Sequence, residues 1–168
     1  MAGGFSSTTG ISTDSETFAI STALTGTSAI TGTASSNRLR AASTFLWPSG
    51  YEESDEEPTL VLFLHVGCHF CEESMPFYSR LLELSRQPRA RVRLVAIFPD
   101  PLEMVSLETA QDLPGLKVIP AADFGKLGVL GTPTLALIDQ KSVIRRVWRG
   151  QLSVAQEAEV LAQITRAI

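Results

Sequence analysis

Cys68 and Cys71 are the only cysteines in the chain, and two residues separate them. One helical turn brings sulfurs at this spacing into bonding range, so the pair can open and close locally. If a helix begins at Cys68, unpaired backbone N–H groups and the helix dipole stabilise its thiolate, whereas Cys71 lies one turn inside and is shielded. The spacing therefore predicts dithiol–disulfide chemistry, with Cys68 as the attacking thiol.

The same segment leaves other uses of the sulfurs open. A structural disulfide that closes so short a loop constrains little of the unfolded chain, and an all-cysteine zinc site needs two more thiolates than the chain has. Two imidazoles and two thiols suit zinc or copper(I), and they are supplied by His65, Cys68, His69 and Cys71. A metal-binding or metal-delivery module is therefore one alternative, and a non-catalytic interaction domain is another. We favour redox chemistry, with no metal ligand.

Length and charge limit the class of protein. The 168 residues fit one domain, and 44% apolar residues suffice for a hydrophobic core. The net charge of −4 argues against nucleic acid as a partner, because phosphate binding needs a basic surface. No run of about 18 uninterrupted apolar residues occurs, so we predict no membrane span in this chain.

The first 37 residues differ in composition from the rest of the chain. Serine or threonine occupies 17 of these positions, and such a segment has little apolar surface to bury. We predict a disordered Ser/Thr-rich leader or linker over residues 1–40 and a folded domain over residues 41–168. The leader is a poor signal peptide because no basic residues precede its apolar stretch, although its composition suits a plastid-type transit peptide. Five carboxylates in residues 52–57 predict a solvated loop.

Hydrophobic patterns predict alternating strands and helices in the first half of the domain. Residues 59–66 form a near-continuous apolar run, typical of a strand buried on both faces. An amphipathic helix follows as far as residue 87, with Phe70 and Phe77 on its apolar face and a kink expected at Pro76. Residues 91–98 predict the next strand, which completes a right-handed βαβ unit.

Shorter elements precede a hairpin and a closing helix in the second half. We predict a helix over residues 102–111, a strand over 116–119, a helical turn over 121–127, hairpin strands over 134–138 and 143–148, and a helix over 153–168. Ser153 is the expected N-cap of the closing helix. The apolar face of that helix is expected to comprise Val154, Ala158, Leu161 and Ile164. This order predicts an α/β protein with a mixed central sheet flanked by helices.

Three motifs within this order carry a resemblance. Met75-Pro76 places a proline five residues after the second cysteine, residues 124–134 read Phe-Gly-Lys-Leu-Gly-Val-Leu-Gly-Thr-Pro-Thr, and the separation of Cys68 from Pro133 leaves room for an inserted helix and strand. Over residues 59–168 the chain resembles the thioredoxin superfamily, and within it the TlpA/ResA-like thiol-disulfide oxidoreductases. The resemblance implies a thioredoxin-like fold and exchange chemistry on protein disulfides.

The resemblance also implies partners and a direction. We expect a disulfide-containing protein substrate, an upstream thiol reductant and no cofactor. Reduction of the substrate is the favoured direction, and a disulfide oxidase or isomerase of the same fold is the alternative. Because members of the TlpA/ResA-like group are often membrane-tethered outside the bacterial cytoplasm, an extracytoplasmic location is favoured, with organellar and cytoplasmic locations open.

Four residues are expected to bind substrate or tune the dithiol. The resemblance implies a cis peptide bond before Pro133, with Thr132 beside the sulfurs. His69 and Phe70 lie between the cysteines, and a protonated His69 would favour the thiolate electrostatically, whereas a solvent-facing His69 would have no effect. His65, at the end of a buried strand, is expected to be a hydrogen-bonded core residue rather than a catalyst.

Three positions differ from the pattern of the families that the chain resembles. Gly67 replaces the usual aromatic before the first cysteine. Leu62 replaces the buried aspartate that helps deprotonate the inner thiol in thioredoxins, and Ser74 replaces the glutamate common in TlpA-like proteins. Glu72 and Glu73 are expected to be solvated. The sequence therefore offers no obvious proton acceptor for the inner thiol.

Overall fold

The computed structural model describes residues 38–51, 56–105 and 112–166. Most of the predicted leader, part of the predicted acidic loop and residues 106–111 of a predicted helix lie outside the described residues. Of that helix, residues 102–105 are described and are helical. No helix among the described residues is long and apolar enough to cross a membrane.

Five strands form one mixed sheet in the order β3-β2-β1-β4-β5. The strands are β1 (Thr59–Phe63), β2 (Arg93–Ile97), β3 (Lys117–Ile119), β4 (Thr134–Ile138) and β5 (Ile144–Arg149). β1, β2 and β3 are parallel to one another, whereas β4 runs antiparallel to β1 and β5 antiparallel to β4. The mixed α/β fold class predicted from the sequence is confirmed.

β1 is the central strand, and its side chains alternate between two hydrophobic clusters. Leu60 and Leu62 pack into one cluster, whereas Val61 and Phe63 pack into the other, and all four are almost completely buried. Because each face of the strand contacts a separate core, both faces must be apolar. This requirement explains the uninterrupted apolar run in the sequence.

Four helices carry labels here. They are α1 (His69–Glu73), α2 (Met75–Ser85), α3 (Phe124–Leu127) and α4 (Val154–Arg166). The prediction of one kinked helix after the cysteines is wrong, because the helix ends at Glu73 and a new one begins after Ser74. Pro76 lies in the first turn of α2, where its missing N–H would be unpaired in any case.

Ser153 begins α4 with a reciprocal pair of hydrogen bonds. Its hydroxyl accepts from the Gln156 N–H at 3.4 Å, and the Gln156 side chain accepts from the Ser153 N–H at 2.9 Å. This arrangement is a capping box, which satisfies backbone donors that the first turn of a helix leaves unpaired.

The packing face of α4 differs from the predicted one. Val160 and Ile164 are buried, and Leu161 packs beside them. Val154 and Ala158 are exposed, so that part of the prediction is wrong. Apolar side chains of α4 lie on more than one of its faces. Periodicity alone therefore does not identify the face that contacts the sheet.

A residue that precedes position 41 packs into the hydrophobic core. Leu39 is buried in the same cluster as Phe63, and its N–H donates to the Gly128 carbonyl at 2.9 Å. Phe45 is also buried in this cluster, and its N–H donates to the Ser142 carbonyl. Leu39, which falls within the predicted leader, therefore contributes to the core, and the boundary at residue 40 stays a prediction.

Candidate active site

Cys68 and Cys71 form a disulfide at the start of α1. Cys68 is the N-cap residue, with extended backbone angles, and the two Cα atoms are 5.2 Å apart. Cys68 is partly exposed, whereas Cys71 is 1% exposed. A large substrate can therefore reach only the first of the two sulfurs.

Two hydrogen-bond donors point at Cys68 Sγ. The Cys71 N–H lies 3.3 Å from this sulfur, and the Thr132 hydroxyl lies 3.4 Å from it. The peptide bond between Thr132 and Pro133 is cis. Because donors of this kind favour negative charge on the acceptor, they stabilise the thiolate that reduction would leave on Cys68.

The turn between β1 and α1 depends on a glycine and on a distant carboxylate. Gly67 has a φ of +72°, in the left-handed region that residues with side chains rarely adopt. The preceding residue, Val66, donates its N–H to Asp100 Oδ2 at 3.0 Å. Glycine at position 67, where the resembling families carry an aromatic, therefore matches the backbone conformation of this turn.

His65 lies at the surface of this turn and not in the core. Its side chain is 52% exposed, and its Nε2 is 3.8 Å from Asp100 Oδ1. The prediction of a buried histidine is wrong because β1 ends at Phe63, so the chain has left the sheet before it reaches His65. Asp100 was not identified from the sequence, since only the tertiary fold brings it to the turn.

Both residues between the cysteines are exposed. Phe70 is 54% exposed, and its ring centroid is 5.7 Å from that of His69. The His69 side chain lies in solvent with its Nε2 3.3 Å from Glu73 Oε1. The prediction that Phe70 shares the buried face of Phe77 is wrong, because the break at Ser74 separates the two helices.

Apolar side chains enclose Cys71. It lies in the same cluster as Leu62 and Tyr78. Ser74 is also buried, and its hydroxyl donates to the Phe70 carbonyl at 2.7 Å. At the two positions where the resembling families carry a carboxylate, this chain therefore carries a leucine in the core and a serine bonded to its own helix.

The hydroxyl of Tyr78 lies in this apolar region. Burial raises the pKa of Tyr78 to about 12, the nearby Ser74 hydroxyl partly offsets the rise, and the negative charge of Glu157 adds to it. The phenol is therefore neutral at physiological pH.

We expect the folded protein to lose stability between about pH 10, the ordinary tyrosine pKa, and pH 12. In this window the unfolded chain releases the Tyr78 proton and the folded protein keeps it, so the free energy of unfolding falls with rising pH by about 2–3 kcal/mol. Urea denaturation at several pH values measures the fall, and tyrosinate absorbance locates the pKa. Tyr78→Phe should remove this component, and a Tyr78 pKa near 10 in the folded protein would contradict the prediction.

The four residues of the metal hypothesis do not form a ligand set. His65, Cys68, His69 and Cys71 all belong to the described part of the chain, where no group of three His, Cys, Asp or Glu side chains is placed to hold a metal ion. Both sulfurs are engaged in the disulfide. The observed arrangement therefore gives no support to a metal-binding module.

No protein-family model matches the chain, and no curated protein matches it. Solved structures do match. One is that of a candidate thiol:disulfide interchange protein DsbE from Chlorobium tepidum, with 21% identity and a TM-score of 0.56 over 67% of this chain and 81% of that chain. The domain has a thioredoxin-like fold.

Two further structures share the thioredoxin-like fold. A candidate protein disulfide isomerase from Bacteroides thetaiotaomicron is 26% identical, with a TM-score of 0.53 over 66% of this chain and 72% of that chain. A secreted disulfide oxidoreductase from Mycobacterium tuberculosis, homologous to E. coli DsbE, is 13% identical, with a TM-score of 0.54 over 66% and 82% of the two chains. The thioredoxin-like domain thus combines the fold of thiol-disulfide oxidoreductases with a Cys-x-x-Cys pair at disulfide distance.

Proposed function

We propose that this protein is a thiol-disulfide oxidoreductase that reduces disulfides of protein substrates through Cys68 and Cys71. The observation that carries the proposal is the asymmetry of the pair. Cys68 is accessible and receives two hydrogen-bond donors, whereas Cys71 is buried directly behind it. A nucleophile needs access and a stabilised thiolate, and a resolving thiol needs only proximity to the first sulfur.

The exchange consists of two displacements at sulfur. The Cys68 thiolate attacks one sulfur of the substrate disulfide, which forms a mixed disulfide and releases the other substrate sulfur as a thiolate that takes a proton. Cys71 then loses its proton and attacks Cys68 Sγ, which re-forms the disulfide seen here and releases the second substrate thiol. Two electrons have passed to the substrate, so an upstream dithiol must return two electrons before the next cycle.

The environment of Cys71 determines which group can accept its proton in the second displacement. No carboxylate occupies the positions of Leu62 and Ser74, and both residues are buried. We therefore propose that water accepts the Cys71 proton, and that this water enters while the disulfide is open. Glu72 and Glu73 are exposed, so they take up that proton only through such water.

The reduction potential of the Cys68–Cys71 couple tests the proposed direction. We expect a value near that of thioredoxin, roughly −270 mV, after equilibration of the protein with dithiothreitol buffers. A value between about −180 and −120 mV would instead indicate a disulfide isomerase or oxidase. His69→Gln serves as a companion variant. If its reduction potential is lower than that of the wild type, the imidazole of His69 makes the wild-type couple more oxidising.

A further inference from the structure

Four arginines converge at the edge of the sheet on the side of β5. They line a concave surface of about 360 Å³ together with an alanine and a valine: Arg38, Arg40, Ala41, Arg146, Val147 and Arg149. Segment 38–41 supplies one wall, and β5 supplies the other. The Arg149 guanidinium donates a hydrogen bond to the Leu39 carbonyl, which ties the two walls together. We refer to this surface as the arginine pocket.

The arginine pocket is strongly basic in a chain that is acidic. The protein has a net charge of −4 and 14 basic residues, yet four of these line one small concavity, and no aspartate or glutamate of the described residues lines it. All four arginines are exposed. Within the described part of the chain, Arg38 and Arg146 make no side-chain hydrogen bond or ion pair. Arg38 and Arg146 therefore present their guanidinium groups to solvent, and such groups recognise carboxylates and phosphates by paired hydrogen bonds.

The arginine pocket lies beside the loop that flanks Cys68. Arg149 is the antiparallel partner of Thr134 in the sheet, and the N–H of Gly150 donates to the Pro133 carbonyl at 2.8 Å. The hydroxyl of Thr132, on the same loop, reaches Cys68 Sγ. A peptide attached to Cys68 thus needs to cross that loop and roughly one strand spacing, about 4.8 Å, to reach the backbone of Arg149.

We propose that the arginine pocket binds an acidic segment of the protein substrate, next to the cysteine that Cys68 attacks. This inference rests on the proposed function, and it adds a substrate class: disulfides with Asp or Glu nearby in the sequence. An extended chain advances about 3.4 Å per residue, so acidic residues about two to five positions from the substrate cysteine reach the pocket. We choose a protein segment over a free small anion as the occupant because Arg149 of the pocket pairs with Thr134, directly after the loop that contacts Cys68.

Matched peptides test the proposal. Two disulfide peptides differ only in flanking residues, which are Glu and Asp in one and Gln and Ser in the other. The rate constant for oxidation of the fully reduced protein by each peptide is measured for the wild type, for the double variant Arg38→Gln/Arg146→Gln, and for the control Arg89→Gln/Arg91→Gln. The control removes the same charge from exposed positions outside the pocket.

We expect the wild type and the control to react with the acidic peptide roughly three to ten times faster than with the neutral peptide, since exposed ion pairs each contribute modestly. The double variant should lose this preference while its rate with the neutral peptide stays unchanged. An equal fall with both peptides, or a preference that survives in the double variant, would overturn the proposal.

A binding measurement separates this inference from the proposed function. Serine replaces both cysteines in each labelled peptide, and fluorescence anisotropy gives its Kd for the oxidised protein. If the wild type reduces neither disulfide peptide but binds the cysteine-free acidic peptide through Arg38 and Arg146, the proposed function fails and the acidic-segment site stands. If the acidic peptide does not bind, the inference is wrong. Binding of inorganic pyrophosphate at these arginines in that case would show that the pocket takes a small anion instead of a protein segment.

Discussion

Replacement of Cys68 by serine should lower disulfide reductase activity by more than about a thousandfold, since it removes the nucleophile that the reaction requires. The serine hydroxyl does not ionise at neutral pH, and the hydrogen bonds from the Cys71 N–H and the Thr132 hydroxyl do not overcome that difference. Reduction of a fluorescent disulfide peptide with dithiothreitol as electron donor measures the loss. A Cys68→Ser protein with wild-type activity would exclude the proposed mechanism.

The companion variant should behave differently. Cys71→Ser leaves Cys68 able to attack but removes the thiol that resolves the mixed disulfide, so covalent adducts with substrate peptide should accumulate on Cys68. Non-reducing electrophoresis and mass spectrometry detect the adduct, and Cys68→Ser/Cys71→Ser is the matched control that should form none. If Cys71→Ser turns over normally, Cys71 is not the resolving thiol.

Truncation of Phe63 should produce the largest loss of stability. Phe63 is completely buried, and its ring packs edge-on against Phe45 and Phe124 with centroids about 6 Å apart. Phe63→Ala removes this apolar contact and leaves a cavity in a core built from three separate segments, which costs about 3–5 kcal/mol. Urea denaturation followed by far-ultraviolet circular dichroism, without reductant, measures the change.

Phe70→Ala provides the matched control. The same side chain is removed, but Phe70 is half exposed beside the disulfide, so the free energy of unfolding should change by less than about 1 kcal/mol. Equal losses in the two variants would mean that the ring of Phe70 has a packing role that the structure does not show. A loss below about 1 kcal/mol in Phe63→Ala would contradict the described core.

The sequence predicted those features that depend on local pattern. The apolar run before Cys68 identified the central strand because a strand buried on both faces has no polar positions. The hairpin was equally readable, since Asp139 lies between two apolar runs and caps the turn by accepting from two backbone N–H groups. The mixed sheet followed from the order of these elements.

Features that depend on tertiary contact could not be predicted. Asp100 meets Val66 only when β2 pairs with β1, and no local pattern marks it as a partner of the active-site turn. The break at Ser74 was missed because the helical spacing of apolar residues hides a change of axis. The arginine pocket was missed because Arg38 and Arg146 are far apart in the sequence and meet only at the edge of the sheet.

The central position of β1 has a consequence for motion near the dithiol. Each of its residues pairs with a neighbouring strand on both sides, and its side chains belong to two cores at once. Amide groups in such a strand exchange with solvent mainly when the whole domain unfolds, whereas groups in loops exchange through local opening. We therefore expect the Gly67 turn to extend from a strand whose amides exchange more slowly than those of the described loops, so that this strand anchors the backbone on one side of the reactive sulfur.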